Sequence, residues 1–259
     1  MNLSVKYPFS STFRAELLKV KFSVGFWVAF TAPLIQGFLH FCVFFFNGKY
    51  IIKPHTDVWT LFIHSVWGFW AVLFLPLLIA IQTSLINGLE HQTEGWRNLF
   101  CLPIPRWYVY QSKMLMSLVL IFISNLLLMI ITIIVGYLLG FSGITGFLKT
   151  PLPFFILLYP LYMLIGSFFI IALHWALSTL VKNFFICSGI AVVLTLFNII
   201  ISNEKAVSIY FPWCFPIIST QVLSDNHYVQ SYYTMMFSLI LGSIVVWLNI
   251  RWNSKKNII

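Results

Sequence analysis

Glu90 and Glu94 stand four residues apart, so a helix would carry both carboxylates on one face, with Trp96 and Arg97 just beyond. Paired carboxylates can do general acid–base work. Next to a tryptophan and an arginine they fit a salt-bridged helix at an interface better. The histidines are His40, His55, His64, His91, His174 and His227. They form no HExxH or HxxxH pair. His55 and Asp57 are near neighbours, but in a connecting loop. GxSxG is absent, and no serine has a matching His/Asp set. Cys42, Cys101, Cys187 and Cys214 form no CxxC pair. Nothing matches the phosphate loop GxxxxGK[ST], since Gly48-Lys49 has no glycine at the required upstream position. The sequence therefore assigns no catalytic residue, no metal ligand and no cofactor. If ATP drives this chain, another polypeptide binds it.

The elements that carry these residues are apolar. Of 259 residues, 60% are hydrophobic and 8% are charged. A soluble domain carries about 25% charged residues, so the class is an all-α integral membrane protein in a single domain. A spanning helix needs about 20 apolar residues. Six runs qualify, at about 22–46, 59–87, 114–140, 154–181, 184–201 and 233–250. Barrel strands would be alternating segments of about 10 residues, and these runs are longer and apolar all round.

Basic residues set the orientation. With the N-terminus in the cytoplasm, the inner side holds Lys6, Arg14, Lys19, Lys21, Arg97, Arg106, Lys113, Lys182, Arg251, Lys255 and Lys256. The outer side holds Lys49, Lys53, Lys149 and Lys205. The asymmetry obeys the positive-inside rule and places both termini in the cytoplasm. The net charge of +9 anchors helix ends against anionic lipid; no nucleic-acid partner is implied. The first apolar run exceeds the 7–15 residues of a signal-peptide core and reads as a span. A Cys42–Cys214 disulfide is compatible with the topology, but nothing in the sequence calls for one.

Residues 10–21 open with hydroxyl residues suited to a helix cap and place Phe13, Leu17 and Leu18 at helical spacing. This predicts an interfacial helix. Pro33 predicts a kink in the first span. The second span holds Pro76 and ends in Gln82, Thr83, Ser84 and Asn87. Segment 202–232, with Pro212 and Pro216, is too apolar for a free loop and predicts broken, re-entrant helices packed on the spans. Between the predicted span ends there is no Asp, Glu, Lys or Arg. That argues against a proton- or sodium-coupled carrier and against a channel with charged rings. An aromatic and aliphatic interior suits an amphipathic cargo.

Residues 88–112 join the second and third spans on the basic side. Glu90, Glu94 and Arg97 alternate with Leu89, Trp96, Leu99, Phe100 and Leu102. Pro103 stops the helix, because the residue before a proline leaves the α region. Arg106 and Trp107 then restart the chain toward the third span. The pattern Glu-x-x-x-Glu-Gly-Trp-Arg-x-Leu-x-x-Leu-Pro-Ile-x-Arg-x-x-x-Tyr-x-x-Lys, from Glu90 to Lys113, resembles the motif after the second span in permease subunits of type 2 ABC exporters. Within that group it is most similar to permeases of lantibiotic and bacitracin immunity systems.

The resemblance implies that Glu90, Glu94, Trp96, Arg97, Pro103 and Arg106 form an ATPase-coupling surface for a cytoplasmic ABC ATPase subunit. It also implies a dimer with a second permease, either a copy or a sister chain. The expected function is export of an antimicrobial peptide, a lantibiotic or similar, from a bacterial plasma membrane for immunity. The alternatives are a secondary carrier for a hydrophobic solute and a membrane-embedded lipid-modifying enzyme.

Overall fold

The computed structural model describes residues 8–53, 56–92, 104–144, 146–223 and 228–255. Those residues are all-helical, with 88% in helix and none in strands. The order is α1 (Phe9–Val20), α2 (Val24–Ile51), α3 (Val58–Phe69), a π-helical turn (Trp70–Phe74), α4 (Leu75–Gln92) and α5 (Arg106–Phe141). Then come α6 (Gly146–Lys149), a 3₁₀ turn (Phe154–Leu158), α7 (Tyr159–Leu180), α8 (Phe184–Ile201) and α9 (Lys205–Ser208). A 3₁₀ turn (Pro212–Cys214), α10 (Phe215–Thr220), a second 3₁₀ turn (Gln221–Leu223) and α11 (Tyr228–Lys255) complete the described chain. Six helices among these residues are long and apolar enough to cross a membrane: Val24–Gly48, Val58–Gly88, Arg106–Phe141, Phe154–Leu180, Phe184–Ile201 and Val229–Asn253.

α7 is the hub and packs on α4, α5, α10 and α11. The main core is aromatic, with Trp59, Trp67, Trp70, Trp175 and Tyr159 fully buried. A smaller cluster of Val20, Ala29, Ile86, Met116 and Leu120 fixes α1 against α2, α4 and α5. Lipid tails are as apolar as these side chains, so tight packing and interhelical hydrogen bonds must hold the bundle.

Proline explains two of those bonds. Pro33 has no N–H to offer its i−4 acceptor, the Ala29 carbonyl. Ser124 Oγ on α5 donates to that carbonyl at 3.0 Å, sharing its proton with the Leu120 carbonyl of its own helix. Pro76 likewise leaves the Val72 carbonyl, inside the π turn, without its α-helical donor. Asn198 Nδ2 on α8 donates to it at 3.0 Å. The Asn198 amide oxygen in turn accepts from Cys214 Sγ at 3.1 Å. Cys42, Cys187 and Cys214 are all free thiols, so the optional Cys42–Cys214 bridge is not formed.

Interhelical hydrogen bonds in membranes average about 0.6 kcal/mol, with a maximum near 1.7. Ser124→Ala should therefore cost about 0.5 kcal/mol in a denaturation titration in mixed micelles. Asn198→Leu should cost more, about 1–1.5 kcal/mol, because it strips both the Val72 carbonyl and the Cys214 thiol of a partner.

The segment between α8 and α11 folds into short helices broken at Pro212 and Pro216, and it packs on α7 and α11. Trp213, Cys214, Phe215 and Ile218 are buried there. Gly166 on α7 makes the close approach possible. A Cβ at that position would stand 2.9 Å from the Phe215 carbonyl and from Pro216 Cα, both backbone. Ser219 Oγ donates to the Tyr162 carbonyl at 2.9 Å, and Ser231 Oγ on α11 to the Ile218 carbonyl at 2.8 Å. These bonds fasten α10 between its two neighbours.

α5 differs from the sequence expectation. It begins at Arg106 rather than near 114, and runs 36 residues. At about 1.5 Å per residue it is about 54 Å long, well beyond a 30 Å hydrocarbon core. Its first turns carry Arg106 and Lys113. The span ends drawn from hydropathy had placed both outside the helix; hydropathy alone does not register that a helix continues past the apolar run.

Candidate functional site

The first turns of α5 are where the candidate site forms. α1 shows three buried residues at i, i+4 and i+8: Thr12, Glu16 and Val20. That face lies against α5, and the rings of Phe9 and Tyr108 meet edge-on at 5.6 Å. After α1 the chain turns through Phe22, whose φ of 62° is in the left-handed region. Non-glycine residues seldom adopt it. The turn brings the chain to Ser23, whose Oγ accepts from Phe26 N and starts α2.

Four charged side chains meet where α1, α4 and α5 touch. Lys113 Nζ donates to Glu90 Oε2 at 2.6 Å and to Glu16 Oε2 at 2.8 Å. Lys19 Nζ donates to Glu16 Oε1 at 3.0 Å and to Glu90 Oε1 at 3.0 Å. Each carboxylate therefore bridges both ammonium groups, and the charges of these four described residues sum to zero. Side-chain exposure is 0% for Lys113, 3% for Glu16, 4% for Glu90 and 37% for Lys19. The Ile86 carbonyl, 3.5 Å away, gives Lys113 Nζ a further acceptor.

Burial would raise the Glu90 pKa. The charge and hydrogen bond of Lys113, and then those of Lys19, overcome it and hold the carboxyl below its ordinary value. Burial likewise opposes the charge on Lys19, but Glu16 and then Glu90 outweigh it and raise its pKa above the usual lysine value. Both groups stay ionised at neutral pH. A ring with every charge paired does no proton chemistry. It fastens three helices at one point.

The ring brackets the segment that the sequence resemblance suggests for coupling. Glu90 sits in the last turn of α4, and Lys113 in the second turn after Arg106 opens α5. The two flanks of that segment are thus joined at 2.6 Å. Of the residues proposed from sequence, Glu90 turns its carboxylate inward to the lysines, while Arg106 opens α5 beside Tyr110. Glu94, Trp96, Arg97 and Pro103 lie outside the described residues. Sequence reasoning missed Glu16, Lys19 and Lys113 as site residues. The available signal was their type: a lone acid within the amphipathic face of α1, with basic residues that had been counted only toward orientation.

Fold and site together define a multi-pass helical membrane protein in which α4 and α5 are tied by a buried charge cluster, and its sequence holds no nucleotide-binding loop. A family model described as "ABC-2 family transporter protein" matches residues 12–198. The chain belongs to that family, and so is a membrane permease subunit of an ABC transporter, working in the bilayer with an ABC ATPase. No curated protein and no solved structure gives a significant match.

Proposed function

We propose that this permease serves an ATP-driven exporter that expels an amphipathic antimicrobial peptide, a lantibiotic or similar, from a bacterial plasma membrane. The observation that carries the coupling half of this reading is the Lys113–Glu90 pair, which clamps the two flanks of segment 88–112 together. A surface segment with tied ends transmits a push instead of absorbing it. Glu94, Trp96, Arg97, Pro103 and Arg106 meet the ATPase, and Glu90 positions them from inside. ATP is bound by the partner; the chain itself needs no cofactor. Two ATPase subunits require two docking surfaces, so a second permease, copy or sister, completes the assembly. Both termini lie in the cytoplasm, α1 lies along the inner interface, and α10 dips into the outer leaflet.

The cargo half rests on two things. The motif from Glu90 to Lys113 is similar to that of immunity permeases, and the largest fully buried side chains, Trp59, Trp67, Trp70, Trp175 and Tyr159, are aromatic.

Co-reconstitution in liposomes tests the proposal. With its ATPase and ATP, the permease should move a labelled cationic amphipathic peptide, and an uncoupler should leave that movement intact. Its expression should also raise the peptide concentration needed to kill a host. Transport by the chain alone that collapses with the proton gradient would establish the secondary carrier instead. Metal-dependent lipid hydrolysis by the isolated chain would establish the enzyme.

A further inference from the structure

A cavity of about 420 Å³ opens at the same end of the bundle as the charge ring, between the start of α2, the ends of α4 and α7, and the start of α8. We propose that it binds the phosphate of an anionic membrane phospholipid, with the glycerol and upper acyl chains against its apolar walls.

Three features converge there. First, α2 and α8 both begin at the cavity, and they are 28 and 18 residues long. Ser23 Oγ and Asn183 Oδ1 each satisfy one first-turn N–H, those of Phe26 and Phe185. Further first-turn N–H groups have no intrahelical partner, and the positive ends of both helix dipoles point at the same space. Second, Lys182 supplies a full positive charge, and no acidic residue lines the cavity among the described residues.

Third, Ser84 lines the cavity at 6% exposure, and its Oγ makes no hydrogen bond of ordinary geometry. The Cys187 thiol beside it is a weak partner at best. Its neighbour Thr83 bonds back to Ile79, Ser117 to Lys113 and Thr132 to Leu128, each to a carbonyl one turn earlier. Ser84 does not; its Oγ has only the weak Cys187 thiol beside it, which is costly for a buried hydroxyl. A phosphate oxygen would satisfy it.

The walls decide the class of anion. Most of the lining is hydrocarbon, including Val24, Leu85 and Phe185, which a free phosphate cannot use and a phospholipid can. Two helix starts and a lysine favour a headgroup without an ammonium, since that group would bring a repelled positive charge.

The test uses the purified full chain in detergent, measured by native mass spectrometry and thermal melting. Added lipids are phosphatidylglycerol or phosphatidylcholine, with inorganic phosphate as a separate arm. The wild type should retain phosphatidylglycerol and melt higher with it, phosphatidylcholine should do less, and phosphate should do little. Lys182→Ala removes an exposed side chain in a loop and leaves the fold intact. It should weaken phosphatidylglycerol retention about fivefold, the usual worth of one lysine at a lipid surface. Ser84→Leu, which removes the hydroxyl and narrows the cavity, should abolish the preference. The proposal fails if Lys182→Ala retains the lipid as wild type does, or if both lipids bind alike. It also fails if phosphate alone stabilises as much, or if a second copy of the chain covers the cavity and no lipid is retained.

Discussion

Lys113→Met should destabilise the protein more than any surface change of a lysine. The ammonium it removes is fully buried and holds two carboxylates at 2.6 and 2.8 Å. Breaking a buried ion pair from one side costs about 3–5 kcal/mol, because the remaining charge is left in a poor solvent. Here two buried carboxylates, Glu16 and Glu90, would be left sharing the single, partly exposed ammonium of Lys19. Lys113→Arg should not rescue, since a planar guanidinium cannot occupy the point-charge position of an ammonium.

The paired variant Glu90→Gln with Lys113→Met removes both partners and keeps Lys19 on Glu16. It should regain a large part of the loss, so a double-mutant cycle in mixed-micelle denaturation would isolate the coupling. If the double variant is no better than Lys113→Met alone, the ring is not the reason for the loss.

The same ring sets a pH dependence. Glu90 titrates below its unfolded value near 4.3, so its contribution is complete above that pH. It is lost as pH falls through the lowered value in the folded protein. Lys19 is the opposite case: its raised pKa gives a contribution that is complete below about 10.4 and fades only above it. Stability should therefore hold a plateau through neutral pH and fall in acid. The acid step should shrink in Lys113→Met, because the main group lowering the Glu90 pKa is gone. Equal acid steps in both proteins would remove Lys113 from that role.

Glu94→Ala combined with Arg97→Ala should abolish capture of the ATPase while the permease remains folded. Truncating charged contacts in an interface costs about 2–5 kcal/mol, a weakening of roughly thirtyfold or more. Co-purification of the tagged permease with its ATPase would show the loss. Lys149→Ala, exposed at the other end of the bundle, is the control and should bind as wild type does. If the double variant still captures the ATPase and still transports, the docking surface lies elsewhere. Lys113→Met in the same assay separates the two functions. It should weaken transport even where some capture survives, because the segment is still present but no longer braced.

The sequence made the helical class and the six spans readable, because a run of apolar residues long enough to cross lipid has few other uses. Pro33 and Pro76 marked where backbone donors would be missing. What could not be read was which helix would supply them, since Ser124 and Asn198 lie far along the chain and are ordinary residues in ordinary helices. The π turn at Trp70–Phe74 had no local signal beyond the proline that follows it.

The charge ring was half legible. Glu90 and Lys113 stood in the motif, but Glu16 belongs to a separate helix whose docking depends on Val20 meeting Ile86 and Met116. Lys113 was assigned to the membrane surface because basic residues usually stay there. Its burial follows from two acids that only the assembled fold brings within reach.

The carbonyls of Ala29 and Val72 have a mechanical consequence. Each is completed by a side chain from a different helix, so neither α2 nor the α3–α4 rod can slide along its neighbour without stripping an oxygen bare in hydrocarbon. Tilting about the shared oxygens keeps both bonds, so it is the cheaper movement of these rods against α5 and α8, by about 0.5–1.5 kcal/mol per bond. The oxygens act as pivots, and a stroke delivered at one membrane face would arrive at the other as a swing with its direction reversed.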